Sequence, residues 1–438
     1  MTARRDPKPN PHHGPGPRRA WSLATVSLLC LLPLAAANLG VGVKRAFLST
    51  PVDLSSRWQE VQYVLRGVDP NQLHFDIDGQ HDRWTSGGLG PDAPPYHADL
   101  DRPGRPVPIG IYPPWTYTLA IPLHGPPTLA AAVVWFAFVN TACAGLLLVL
   151  IYRETRRRHG VPAARLATAG VGLISAVCLT FSVGNYGLVE LTLLMLTLVA
   201  LRTRRVSAAG LLLGFAAIKP TFAVPFGLLV LNRRDKRAAA ISFGVVGVAV
   251  LAFVGLTRRN PLDTWLAAQR HLNQYTGTGG GLPQLIGWLG VPEPAGSAGL
   301  AAGVLAAAAA VLYRFRRTDL LVRAAIVGVA ARLWCYHRHY DDLLLAFLLA
   351  GLLARAVSST AQTRPSRLAA LAAAGVGLTL WVPESVWGRS VTWQVLQHAA
   401  WLAGLAVLLR QAARETPADS ARSSERCAAA SSSASPPV

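Results

Sequence analysis

Asp53 stands about ten residues beyond the end of the first long apolar run, in STPVDLSSRWQEVQYVLRGVDPNQ (49–72). A carboxylate there has two readings. It can cap the helix that DLSSRWQEVQYVL forms, accepting free amide hydrogens of the first turn. Alternatively, Leu54, Trp58, Val61 and Leu65 recur on one face, as in a helix lying in a membrane interface. That geometry would hold Asp53 at the headgroup plane, where a lipid-borne reacting group could meet it. Lys219 falls inside an apolar stretch, AAIKPTFAV. An ammonium near membrane depth is costly unless paired or solvated, so Lys219 marks a site unless its stem snorkels to the surface. CYHRHYDDLL (335–344) gathers His337, Arg338, His339, Asp341 and Asp342. Imidazole and carboxylate ligate metals, but no spacing such as H-E-x-x-H is present, so no metal is expected. In IYPPWTYTLAIPL (111–123), Tyr112, Trp115 and Tyr117 suit either an interfacial aromatic belt or the lining of a substrate cavity. Pro113 and Pro114 suit a helix start.

The elements that must position these residues are set by hydropathy. Of 438 residues, 52% are hydrophobic and 15% charged, and mean hydropathy is +0.34. Apolar runs long enough to cross, or nearly cross, a ~30 Å hydrocarbon core recur from Trp21 to the Arg410 region. The chain reads as a polytopic membrane protein, and backbone groups in lipid must be bonded within each segment, so the spans are helices. The net charge of +20 could suggest nucleic acid. Its arginines instead cluster in short loops (152–160, 202–205, 232–237, 314–317, 364–367), which the positive-inside rule assigns to the cytoplasm. Nucleic-acid binding is excluded on that distribution. The five cysteines have no disulfide or zinc spacing and read as small apolar fillers.

Threading from a cytoplasmic N-terminus predicts about twelve spans: 22–43, 127–151, 163–182, 186–201, two short helices within 206–232, then 238–257, 296–313, 319–335, 341–356, 366–383 and 392–411. Residues 206–232 lie between two basic loops, yet Lys219-Pro220 interrupts them. Two helices of about 13 residues, roughly 20 Å each, are therefore expected to meet there at a bend near the outer face. Residues 1–21 read as a basic, Pro-rich cytoplasmic tail ahead of an uncleaved first span. Residues 22–411 form the membrane domain, with 44–126 an extracytoplasmic loop, and the low-complexity 412–438 is expected to be a disordered cytoplasmic tail. The outer face then carries Asp53, Asp69, His74, Asp76, Asp78, His81, Asp82, His97, Asp99, Asp101, GNYG (184–187), Lys219 and 335–344.

Five stretches occur in a characteristic order: Asp53 followed by VLRGVDP, then YPPWTYTLAIPL, GNYGLVELTLLMLTLVALR, AAGLLLGFAAIKPTFAVPFGLLVLNRR and YHRHYDDLLLAFLL. This order resembles glycosyltransferase family 87, within the GT-C superfold of integral membrane glycosyltransferases, and covers roughly 40–360. The resemblance implies a GT-C-like bundle and an inverting transfer of a hexose, mannose by family precedent, from a polyprenyl-phosphate sugar to an acceptor hydroxyl outside. It maps the catalytic base onto Asp53. Where family members often carry Gly-Gln at the start of the fourth span, this chain has Gly184-Asn185.

That chemistry needs few parts. A phosphate leaving group is already a weak base, so one carboxylate suffices to deprotonate the acceptor, unlike the carboxylate pair of a glycosidase. Cations must neutralise charge growing on the departing phosphate; Lys219, His337 and Arg338 are the candidates. Trp58, Tyr112, Trp115, Asn185 and Asp341 are expected to line the cavity. No cofactor or metal is expected. Donor, glycolipid or glycan acceptor and membrane lipids are the expected partners, at a plasma membrane, with the site extracytoplasmic. A transporter, or a flippase or ligase of lipid-linked glycans, is the rival reading; it would favour mid-membrane charge pairs and internal repeats.

Overall fold

The structure is a computed structural model and describes residues 23–48, 51–71, 112–232, 235–275, 295–335, 337–358, 364–383, 386 and 390–432. His74, Asp76, Asp78, His81, Asp82, His97, Asp99 and Asp101, and the tail 1–21, lie outside them. Among the described residues every regular element is helical. In chain order they are α1 (Leu23–Leu48), α2 (Val52–Leu65), α3 (Pro114–Leu119), α4 (Ile121–His124), α5 (Leu129–Gly172), α6 (Ser175–Val183), α7 (Gly187–Arg202), α8 (Val206–Ala216), α9 (Pro220–Asn232), α10 (Lys236–Thr257), α11 (Pro261–Tyr275), α12 (Ala295–Arg314), α13 (Leu320–Leu333), α14 (Ala346–Ser358), α15 (Arg364–Trp381) and α16 (Val391–Ser432). A 3-10 turn, His339–Leu345, leads into α14.

Among the described residues, five helices (in α1, α5, α10, α12 and α16) are long and apolar enough to cross a membrane, six if α6 and α7 count as one bent span. The chain is an all-α membrane protein, and among the described residues the other expected spans are shorter or bent helices. Several expected spans are short helices packed inside the bundle, where neighbours rather than length satisfy the buried surface. The expected span 163–182 breaks after Gly172, and α6 is bent by 120° against α7. The expected span 341–356 opens as the 3-10 turn. The last helix continues to Ser432, through a stretch whose composition suggested disorder.

α13 is apolar apart from Arg323 and Arg332 and is buried along its whole length, as expected of a central helix rather than one facing lipid or water. α8 meets α10 through Gly210 and Gly214: a Cβ at Gly210 would lie 2.6 Å from the Ala238 carbonyl oxygen, and one at Gly214 2.6 Å from Val245 Cβ. Small residues four apart permit this backbone approach, as in membrane helix pairs generally. The bend expected at Lys219 is present. α8 ends at Ala216, the Ile218 and Lys219 amides bond back to Phe215 and Ala216, and Pro220 begins α9. Proline is preorganised for that first position and has no amide hydrogen to leave unsatisfied.

Candidate active site

Four separated pieces of chain converge: the start of α2, the elbow between α6 and α7, the bend between α8 and α9, and the turn before α14. The elbow sets the arrangement. Gly184 closes α6 in the left-handed region, φ +70°, and its α-carbon backs onto α2, where a Cβ would fall 2.5 Å from Leu54 Cβ and 2.9 Å from Pro51 Cβ. Only glycine has neither the conformational nor the steric penalty there. Asn185 follows directly and so projects at the first turn of α2.

The Asn185 amide has a determined orientation. Its Oδ1 accepts from the Gly187 amide at 3.1 Å and from Lys219 Nζ at 3.4 Å, so Nδ2 faces the other way and donates to Asp53 Oδ2 at 3.1 Å. Lys219 is buried and ion-paired with Asp341. The rings of Phe222 and Tyr340 lie 4.3 and 5.1 Å from its ammonium, a contact that favours a desolvated cation. Asp341 Oδ2 in turn accepts from His337 Nδ1 at 3.0 Å and from the Arg338 backbone amide at 3.2 Å. The second ring nitrogen of His337 lies against the Ala331 carbonyl oxygen. His337 is therefore engaged on both sides and holds Asp341, whereas the sequence reading assigned it to the donor phosphate. The Arg338 side chain is exposed beside it.

The flanking aromatics anchor this cluster. Trp115 donates from its indole nitrogen to the Ala217 carbonyl at 3.0 Å, tying 112–123 to the Lys219 bend. Trp58 donates to the Pro126 carbonyl at 2.8 Å. Tyr112 lies under the Arg57 guanidinium, 4.4 Å to the ring centroid, and 6.5 Å from the Tyr186 ring.

Sequence reasoning missed several residues. Arg57, one turn after Asp53, binds both oxygens of the buried Glu60, at 2.6 and 2.5 Å. Burial pushes the Glu60 carboxyl up to about 7, against the pull of Arg57. The i to i+3 spacing of Arg57 and Glu60 was the available signal, hidden by reading α2 as interfacial. That expectation needs correction: Glu60, Val61, Gln62, Tyr63 and Val64 are all buried while Leu65 is exposed, so α2 is enclosed by protein at its second half. Asp69 of the Gly-x-Asp-Pro turn bonds Thr264 Oγ1 at 2.5 Å and the Asn71 amide at 3.0 Å, tying α2 to α11. His124 is wedged between Phe136 and Tyr186, ring centroids 5.0 and 5.3 Å away; burial draws its pKa down to about 3.

The histidines and aspartates of 337–342 do not converge on one point. His337 faces Asp341, while His339 faces Asp342 at 3.8 Å, and Asp342 accepts from Arg332 Nε at 2.6 Å. Among the described residues no group of three or more His, Cys, Asp or Glu is placed to hold a metal ion.

A family model, glycosyltransferase family 87, matches residues 111–335. The matched region contains Tyr112, Trp115, Asn185 and Lys219; Asp53, His337, Arg338 and Asp341 lie outside it. No curated protein and no solved structure matches.

Proposed function

This chain belongs to glycosyltransferase family 87, and from that premise we propose that it transfers a hexose, mannose in the reading taken here, from a polyprenyl-phosphate sugar to a hydroxyl of a glycolipid or glycan on the outer face of the plasma membrane. In this reading the basic loops are cytoplasmic, the short helices complete about twelve crossings, and the cluster around Asn185 faces outward. The observation that carries the proposal is one amide: Asn185 touches both Asp53 and Lys219, so a carboxylate and an ammonium stand on either side of one side chain.

Asp53 acts as the base. Its Oδ2 is engaged by Asn185, which leaves Oδ1 to take the acceptor proton as the acceptor oxygen attacks the anomeric carbon. The bond from that carbon to the phosphate oxygen breaks on the opposite face, and its electron pair leaves with the polyprenyl phosphate. The product has inverted configuration, and Asp53 returns its proton to water. An ammonium has three hydrogens; those of Lys219 reach Asn185 and Asp341 and leave one for a phosphate oxygen. The Arg338 side chain is the second cation, and His337 positions Asp341. Fixed charge aimed at the leaving group is the largest expected contribution to rate.

The test is transfer of labelled hexose from a polyprenyl-phosphate hexose by purified protein in detergent, where no gradient exists to drive transport. Asp53→Asn keeps the shape and removes the base, so turnover should fall by at least about 10²-fold with donor binding retained. Near-normal transfer by a correctly inserted Asp53→Asn protein would remove Asp53 from the chemistry.

A further inference from the structure

At the end of the bundle away from Asp53, the loop joining α12 to α13 and Ala413 of α16 form an open cavity of about 430 Å³, lined by Tyr313, Arg314, Phe315, Arg316, Arg317 and Thr318. α13 separates it from the candidate active site: the helix begins beside this loop and ends at Leu333, just before His337, about 20 Å on.

The three arginines are exposed, and the neighbouring acids in sequence, Asp319 after the loop and Glu415 two residues beyond Ala413, are engaged elsewhere. Asp319 accepts from the Val322 amide at 2.9 Å and from Arg355 at 2.6 Å. Glu415, on α16, binds the same Arg355 at 3.0 and 2.9 Å. Arg355 thus bonds both carboxylates, one positive charge shared between two negative ones, and among the described residues no ion pair joins Arg314, Arg316 or Arg317 to an acid. Aromatic rings hold two of the guanidinium groups instead: Arg316 lies 4.7 Å from the Tyr313 ring centroid and Arg314 5.8 Å from that of Phe315. Stacking keeps a guanidinium's planar fork available for paired bonds to phosphate oxygens.

We propose that this cavity binds the phosphate-bearing head group of an anionic phospholipid from the leaflet on the arginine-rich side of the membrane. Three exposed arginines with no ion-pair partner among the described residues, a concave wall and two aromatic rings at a helix end match what an acidic head group at the interface requires. A loop whose charge served topology alone would need neither the concavity nor the removal of Asp319 and Glu415. The proposal is independent of the transferase reading.

The full chain, purified in a non-ionic detergent, is titrated with dihexanoyl phosphatidylglycerol, dihexanoyl phosphatidylcholine or inorganic phosphate while its melting temperature is followed. The phosphatidylglycerol should give a saturable upward shift and the phosphatidylcholine none. The variant Arg314→Gln/Arg316→Gln/Arg317→Gln should bind it on the order of a hundredfold more weakly, and Arg204→Gln/Arg205→Gln, altering another basic loop, should bind as wild type does. The wild-type comparison of head groups needs no variant, so it decides even if the triple variant fails to fold. Equal shifts with both lipids, or an unchanged shift in the triple variant, overturn the proposal. So does an equal shift with inorganic phosphate, which would make the cavity a free-phosphate site.

Discussion

Asn185 and Asp53 face each other at 3.1 Å, amide nitrogen to carboxylate oxygen, although one lies at a helix elbow and the other on the first turn of a distant helix. Because the amide's oxygen is held by Gly187 and Lys219, Asn185 can only donate to Asp53. Asn185→Asp would replace that donor with a second acceptor of like charge. We expect transfer to fall by 10- to 100-fold or more, with the melting temperature little changed in Asn185→Gln, which keeps the donor. Equal activity in the Asp and Gln variants would show that the hydrogen bond has no part in the reaction.

The elbow itself is a second handle. Gly184→Ala meets both a left-handed backbone and a Cβ that would fall 2.5 Å from Leu54 Cβ. The conformation costs about 1–2 kcal/mol and the overpacking about 1–3 kcal/mol. The displaced Asn185 should lower the transfer rate by about 10²-fold, since misplacements near 1 Å commonly do so. Rate and thermal melting measured together test this; loss of stability with full activity would contradict it.

Lys219 and Asp341 form a buried ion pair. Removing one partner leaves the other charge buried and uncompensated, a loss of about 3–5 kcal/mol. Lys219→Met alone and Asp341→Leu alone should therefore both melt early. The double variant should recover most of that stability while remaining inactive, because the cation for the phosphate is still missing. Recovery of activity along with stability would reduce Lys219 to a purely structural role.

Glu60 predicts a pH dependence of stability. Burial holds its carboxyl at about 7 in the fold, above the ordinary glutamate value of 4.5. Between those values the folded chain keeps a proton that the unfolded chain has released. Stability therefore falls as pH rises through that window and levels off above it, by on the order of 3 kcal/mol at most. Glu60→Gln should be less stable overall, having deprived Arg57 of its partner, yet should lack this slope. Melting curves from pH 4.5 to 8 would check it, and an unchanged slope in Glu60→Gln would place the titration elsewhere.

Much of the site could be read from residue type alone. Lys219-Pro220 announced both a bend and a cation at depth, and the bend is there. Asp53, Asn185, Lys219, His337 and Asp341 were each named from the chain, and they share one hydrogen-bonded cluster. What was hidden is which group holds which. YHRHYDD looks in sequence like one potential ligand set, but the 3-10 turn sends Asp341 toward Lys219 and Asp342 toward Arg332. α2 looked interfacial because periodicity reports one face at a time, and the protein that encloses its other face comes from elsewhere in the chain.

The amino-acid sequence by itself determined that this is a helical membrane protein with its basic clusters between apolar stretches, because hydropathy and charge act over a single segment. It also carried the family membership, through motifs whose order survives without knowledge of contacts. Tertiary structure alone decided that a left-handed glycine would press Asn185 against Asp53, that Arg57 would be matched by Glu60, and that Arg355 would take both nearby acids away from the Arg314–Arg317 loop. Except for Arg57 and Glu60, which are three apart on one helix, those pairings depend on which buried polar groups packing brings within 3–4 Å of one another, and no local pattern encodes that distance.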